Sequence, residues 1–213
     1  MRSDDDNQLN LYIALSRHCR YLIQGGAGVT ASSLSLSPQQ LVSCCNSANG
    51  CPNSAGCNGG SSIDAINYVS RVNQTTSARY PYTSATGSTG SCKSSIVATT
   101  ALGQAVKLSG SAKVISPANV ESTLMQAVAI APTVIYFDAE NSFQLYSGGI
   151  YTGRDCSASI NHAIVAVGYQ WGGSSSNSYW IVRNSWGTGW GESSCFRPFI
   201  SRVKLLALLS ADL

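Results

Sequence analysis

Charge is the scarcest property of this chain. Only 11% of its 213 residues are Asp, Glu, Lys or Arg, less than half of the roughly 25% found in ordinary soluble domains. The net charge is +3 and no basic block occurs. The electrostatic footprint of nucleic-acid binding is therefore absent. No run approaches the roughly 20 apolar residues that a membrane-spanning helix needs: residues 9–15 are interrupted by Asn10, and residues 205–209 are fewer still. The opening Met1-Arg2-Ser3-Asp4-Asp5-Asp6 places acids where a secretory signal peptide carries positive charge, so no signal peptide is expected in this chain. Paired Cys-x-x-Cys spacing is missing as well. Cys44, Cys45, Cys51 and Cys57 follow one another as C-C-x5-C-x5-C, which does not suit a zinc site. No metal and no other cofactor is expected.

What is present points to a folded, exported protein. The length accommodates one large domain or two small ones with a real core. A hydrophobic content of 44% excludes global disorder. Ser, Thr, Asn and Gly carry the solubility that charge does not. The eight cysteines are an even count, which favours disulfides and an oxidising compartment.

Along the chain, residues 8–23 read as a helix ended by Gly25-Gly26, and residues 27–35 as a loop. Ser37-Pro38-Gln39-Gln40 reads as a helix start, with Ser37 as N-cap, Pro38 in the first turn and Gln40 completing a capping box. Residues 46–61 form a loop rich in Gly, Asn, Ser and Cys. Ile63, Ile66, Val69 and Val72 then recur at helical spacing, as a core stripe. Asn73-Gln74-Thr75 is an N-glycosylation triplet of little weight by itself. A polar connector runs from Tyr80-Pro81-Tyr82 to Lys93, and a boundary is expected near 95–100. Residues 119–130 read as a helix with Val120, Leu124 and Val128 on one face, stopped by Pro132. Strands are expected at 133–137, 164–169 and 179–182, with turns at Gly148-Gly149 and Gly172-Gly173.

Two segments carry the chemistry. In Ile160-Asn161-His162-Ala163 a histidine leads an apolar run, and Asn184-Ser185-Trp186-Gly187 follows a second apolar run. That is the layout of a general base and an amide that orients it. Together with Asn184-Ser185-Trp186-Gly187-Thr188-Gly189-Trp190-Gly191-Glu192, four upstream blocks complete a pattern: Ser37-Pro38-Gln39-Gln40-Leu41-Val42-Ser43-Cys44, Gly56-Cys57-Asn58-Gly59-Gly60, Tyr80-Pro81-Tyr82, and Phe143-Gln144-Leu145-Tyr146-Ser147-Gly148-Gly149-Ile150-Tyr151. In this order, over residues 34–192, the chain resembles the papain-like cysteine proteases (the cathepsin and papain type).

The resemblance implies an α+β, papain-like two-lobe fold. An α-helical N-terminal lobe, incomplete here, would face a β-barrel-like C-terminal lobe across the active-site cleft. It implies a divergent segment at 1–36, the rest of a disulfide-rich helical lobe at 37–97, a β lobe at 98–192 and a divergent tail at 193–213. His162 would be the base and acid of a Cys-His-Asn mechanism, Asn184 its orienter and Trp186 the cover of their hydrogen bond. Gly59 and Gly60 would meet the substrate main chain, and Ile160, Asn161 and Ala163 would line the main specificity pocket. By the same resemblance Cys44 would bridge Cys92, Cys57 would bridge a cysteine just before the nucleophile, and Cys156 would pair beyond Trp190. Cys45 and Cys51 would form a local bridge. Substrates would be polypeptides, other partners inhibitor proteins, the state monomeric, and the location lysosomal or vacuolar, or extracellular.

The chain departs from the pattern at its nucleophile. The family carries Gln-x-Gly-x-Cys-Gly-Ser-Cys-Trp-Ala-Phe, and nothing in residues 1–43 reads this way. Cys19 precedes His162 by a distance inside the roughly 130–150 residues expected of the family's nucleophile. It is followed by Arg20-Tyr21, however, and Ile13 stands where the oxyanion Gln would be. Cys57 and Cys156 also lack evident partners, Cys195 being the one candidate for Cys156. A Gly-Tyr-x-Arg-like strand should follow Glu192, where Ser193-Ser194-Cys195-Phe196-Arg197-Pro198 stands. The expectation is a chain without peptidase activity as written, its ends altered by truncation, missplicing or gene model. The alternative is a non-catalytic relative that binds peptides or proteins.

Overall fold

The computed structural model describes residues 35–97, 105–106, 108, 110–116, 120–153, 160–174, 177–200 and 207–210. The helix expected at 8–23, Cys19 and Cys156 lie outside the described residues. The chain divides into two compact units, Met1–Lys113 with Ser210–Leu213, and Val114–Leu209.

In the first unit, helix α1 (Pro38–Cys44) starts where the serine and proline place it. Ser37 is extended, and its Oγ accepts from the Gln40 N–H at 3.1 Å. The capping box is not completed. The Ser37 N–H donates to Thr75 O at 2.9 Å. The Gln40 amide donates to Asn73 O at 2.8 Å and accepts from Thr75 N at 2.7 Å. Strand β1 (Gln74–Thr75) and the preceding Asn73 run beside the cap and offer these partners, so a tertiary contact replaces the local one. The strand pairs antiparallel with β2 (Ala105–Val106). Thr75 is fully buried in β1, so the glycosylation triplet is part of the packed structure.

Helix α2 (Ser62–Arg71) is capped by Ser61 and buries Ala65, Ile66, Tyr68 and Val69. Cys44 is bonded to Cys92 and Cys45 to Cys51. The buried Gln39 ties the connector to α1: its Nε2 donates to Ser43 Oγ, Ser84 Oγ and Thr89 O, and its Oε1 accepts from the Thr83 and Ser84 N–H groups. Short elements α3 (Ser94–Val97) and β3 (Ala112–Val114) follow.

The second unit opens with α4 (Glu121–Ile130), which buries Leu124, Ala127 and Val128. After Pro132 come β4 (Thr133–Phe137), α5 (Asn141–Gln144), β5 (Ile150–Tyr151), β6 (His162–Gln170), β7 (Tyr179–Arg183), β8 (Cys195–Pro198) and β9 (Ala207–Ser210). Within this unit the sheet order is β9-β4-β6-β7-β8-β5. Strand β4 is flanked on both edges. It reads Thr-Val-Ile-Tyr-Phe with only Tyr136 short of full burial, as expected of a strand covered on both faces. A register shift between Ala166 and Gly168 ends the fully buried part of β6.

The residues after Glu192 do not break the sheet. Gly191, Ser193 and Ser194 adopt φ of +56°, +54° and +75°, a tight reversal that returns Cys195–Pro198 alongside β7. Phe196 and Ile200 are fully buried. The core of the unit is a packed group of rings. Phe143 lies 4.7 Å from Phe137, 4.8 Å from Phe196 and 5.7 Å from Tyr151, centroid to centroid, with Trp180 also fully buried.

Among the described residues no helix is long and apolar enough to cross a membrane, and no three His, Cys, Asp or Glu side chains gather as metal ligands would.

Candidate active site

Antiparallel pairing of β6 with β7 sets Val165 opposite Arg183. This brings the first residue of β6 next to the residue just past the end of β7. His162 Nε2 lies 2.8 Å from Asn184 Oδ1. Both side chains are buried, at 3% and 1% exposure. The Ser185 N–H donates to the same Asn184 oxygen at 2.7 Å. A backbone N–H is always a donor, so the atom it meets is the amide oxygen and not the nitrogen. An oxygen accepts, and therefore Nε2 carries the hydrogen that faces it. In the neutral ring the lone pair then sits on Nδ1, the nitrogen turned away from Asn184. The pair thus fixes the tautomer of the imidazole without adding a charge beside it.

The surroundings hold this geometry. The Asn184 N–H donates to Ser194 O at 2.7 Å, so the reversal at 191–195 anchors the asparagine backbone. Trp186 lies 5.1 Å from the His162 ring at an interplanar angle of 32°. Phe143 touches the same group, 6.2 Å from His162, 5.2 Å from Trp186 and 4.9 Å from Trp190. The Trp190 indole N–H donates to Gln144 O at 3.1 Å. Rings on this side lower the local dielectric, which strengthens the His162–Asn184 bond.

The other sequence-derived residues are distributed as follows. Ala163 is buried and pairs with Tyr136 across β4 and β6. Ile160 is 52% exposed. Asn161 is exposed, but its amide is engaged with the end of β4: Oδ1 accepts from the Ala139 N–H at 2.7 Å and Nδ2 donates to Asp138 Oδ1 at 3.2 Å. Gly59 and Gly60 belong to the first unit. Gly59 has φ +111° and ψ 176°, a conformation that only glycine holds without strain. Its carbonyl accepts from Ala55 N at 2.8 Å.

Two cysteine thiols among the described residues are free, Cys57 and Cys195. Burial pushes the Cys195 thiol up from its ordinary value, outweighing the Arg183 charge that lowers it, so it is no ready thiolate. Phe143, the Ser185 N–H and the Ser194 carbonyl are the site neighbours to which sequence reasoning gives no role. Phe143 lies inside a recognised block. The two backbone groups have no sequence signal.

The profile described as papain family cysteine protease matches residues 20–204. Cysteine protease 1 of Oryza sativa subsp. japonica is 38% identical over 171 residues, which are 79% of this chain and 32% of that protein. Thiol protease SEN102 of Hemerocallis sp. is 38% identical over 169 residues, 79% of this chain and 42% of that protein. Vignain of Vigna mungo is 40% identical over 166 residues, 77% of this chain and 41% of that protein. The chain thus spans less than half the length of these relatives. Among solved structures, the Carica candamarcensis cysteine protease CMS1MS2 in complex with E-64 has a TM-score of 0.76 at 27% identity, over 100% of this chain and 92% of that one. The bromelain protease of Ananas comosus with E64 has a TM-score of 0.76 at 28% identity, over 98% and 91%. The fold is accordingly papain-like, α+β, as the five blocks imply.

Proposed function

The chain belongs to the papain family of cysteine proteases, and on that premise we propose that its second unit carries the proton-handling part of a peptide-hydrolysing site, while the chain as written does not itself turn over peptide bonds. The observation that carries the first part is the shared Asn184 oxygen, 2.8 Å from His162 Nε2 and 2.7 Å from Ser185 N. It leaves Nδ1 of His162 as the base. In the reaction such a base serves, a thiol gives its proton to Nδ1, and the thiolate attacks the scissile carbonyl. The imidazolium then protonates the departing amine, and the neutral ring next takes a proton from water as the acyl-thioester is hydrolysed. Asn184 holds the ring through these three proton transfers and Trp186 keeps water from their hydrogen bond. Gly59, Gly60 and Ile160 are proposed contacts for a polypeptide substrate or an inhibitor protein, with the chain acting as a monomer.

The second part rests on the sequence. Residues 1–43 hold one cysteine, Cys19, and its flanks do not match the family's nucleophile. The two disulfides support a vacuolar, lysosomal or extracellular setting. The test is to express the chain and assay it with fluorogenic peptides and an epoxysuccinyl thiol reagent. No turnover and no labelling are expected. Labelling or turnover abolished by His162→Ala would overturn the inactive reading, and its loss in Cys19→Ser would name the nucleophile.

A further inference from the structure

The residue before the histidine does something a pocket-lining residue does not. The last ladder pair between β4 and β6 is Phe137 with His162. Beyond it, the Asn161 N–H donates to Phe137 O at 3.3 Å. Strand ends fray unless something holds them, and His162 is the end residue of its strand. Here the Asn161 amide closes the end: its oxygen takes the Ala139 N–H at 2.7 Å and its nitrogen reaches Asp138 Oδ1 at 3.2 Å. Asp138 and Ala139 are buried, at 5% and 3% exposure. Phe137, at the same end, packs against Phe143, which lies against the His162 ring.

We propose that Asn161 is a positioning residue for the imidazole of His162, acting through an amide clamp on the end of β4 with the buried Asp138 carboxylate as its acceptor. The pairing is chemically directional. The Ala139 N–H fixes which end of the Asn161 amide is oxygen, so the nitrogen must face Asp138. An aspartate at 161 would still accept from Ala139. It would face Asp138 as a second carboxylate, with no hydrogen between them and two like charges in contact. The clamp therefore requires a donor at one of the two positions, which makes it testable by exchange.

The proposal adds to the reading of His162 as a base, but its test reads the ring and not peptide turnover. It therefore stands or falls apart from the question of activity. The chain has two histidines, His18 and His162, so the imidazole nitrogens are assignable in a 15N-labelled sample with His18→Gln as the reference. The wild type is expected to show a His162 ring protonated at Nε2 and protected from solvent exchange. Asn161→Asp is expected to speed Nε2–H exchange about tenfold or more, the size expected for one lost, partly buried hydrogen bond to a carboxylate. The double variant Asp138→Asn with Asn161→Asp, which restores donor and acceptor in reverse, is expected to recover the wild-type exchange rate to within about threefold. Should Asn161→Asp fail to fold, Asn161→Ala removes the clamp without the repulsion and is expected to show the same loosening. Unchanged Nε2–H exchange in Asn161→Ala, or a double variant no better than Asn161→Asp at equal thermal stability, would overturn the proposal.

Discussion

In the unit Met1–Lys113 the described elements are short and joined by covalent and side-chain-to-backbone links. In Val114–Leu209 a sheet gathers a cluster of rings. The first is held at points: Cys44 to Cys92, Cys45 to Cys51, Gln39 to the 83–89 connector and Gln40 to β1. The second is held by area, since Phe137, Phe143, Trp180 and Phe196 are each no more than 2% exposed. The buried His162–Asn184 pair, which holds one tautomer and one orientation of the imidazole, sits in the packed unit. The stapled unit carries glycines whose backbone conformation is their contribution. The difference teaches that point links suffice to shape a loop, whereas a buried imidazole needs continuous contact around it.

The largest effect is expected where the packing converges. Phe143→Ala removes a fully buried ring that touches His162, Trp186, Trp190 and Phe196. It is expected to cost about 4–5 kcal/mol, the upper part of the range for such truncations, in urea denaturation followed by tryptophan fluorescence. All four tryptophans, Trp171, Trp180, Trp186 and Trp190, lie in this unit. A cost below about 1 kcal/mol would mean that the rings are not what holds the site.

In the stapled unit the two disulfides should differ by loop length. Cys44–Cys92 closes a separation of 48 residues and Cys45–Cys51 one of 6. Chain-entropy scaling gives about 4 and about 2 kcal/mol respectively. Paired Cys→Ala variants at each bridge, compared in denaturant, would measure both. Equal losses, or a larger one at Cys45–Cys51, would show that native packing and not loop closure sets their value.

The fold and much of the site are legible in the sequence, for reasons that follow this contrast. Ser37-Pro38 announces α1 because a cap is a local signal. The run 133–137 announces β4 because both its faces are covered. His162 and Asn184 are legible as a pair because each borders an apolar strand, and antiparallel pairing then brings them together. What stays hidden is tertiary. Gln40 turns to β1 instead of to its own cap because a strand remote in sequence supplies the partners. Asn161 reads as a pocket residue because nothing local reveals that its amide meets Asp138 and Ala139. The strand at 195–198 is hidden because serines occupy backbone positions where glycine would have signalled the turn.

That turn yields a smaller effect of opposite sign. Ser194 sits at φ +75°, and its fully buried hydroxyl has no hydrogen-bond partner among the described residues. Left-handed backbone costs an ordinary residue about 1–2 kcal/mol, and an unsatisfied buried hydroxyl adds to that. Ser194→Gly removes both, while the unfolded chain gains freedom that offsets part of the benefit. The net expectation is a gain of about 1 kcal/mol in denaturant, with the Asn184 N–H to Ser194 O bond kept. A loss of stability would mean that the serine hydroxyl holds the turn through groups outside the described residues.

The smallest effect concerns an ion pair that links the same turn to the 148–149 loop, and pH isolates it. Glu192 accepts from Arg197 through both oxygens and from the Gly149 N–H at 3.0 Å. The Arg197 hydrogen bonds, then the Gly149 N–H, hold its carboxyl below the ordinary value. A carboxylate depressed in the folded state binds fewer protons there than in the unfolded chain. Its stabilisation is therefore complete above the unfolded value, near about 4.3, and is lost as pH falls through the lower folded value. Wild type and Glu192→Gln should accordingly differ most at about pH 6–7 and converge below about pH 4, with the gap narrowing in high salt because both side chains are about one third exposed. Thermal melts across that range measure it. A gap that persists unchanged at about pH 3, below the unfolded value, would assign the contribution of Glu192 to hydrogen bonds that survive its protonation, and the turn would then owe nothing to the charge of the ion pair.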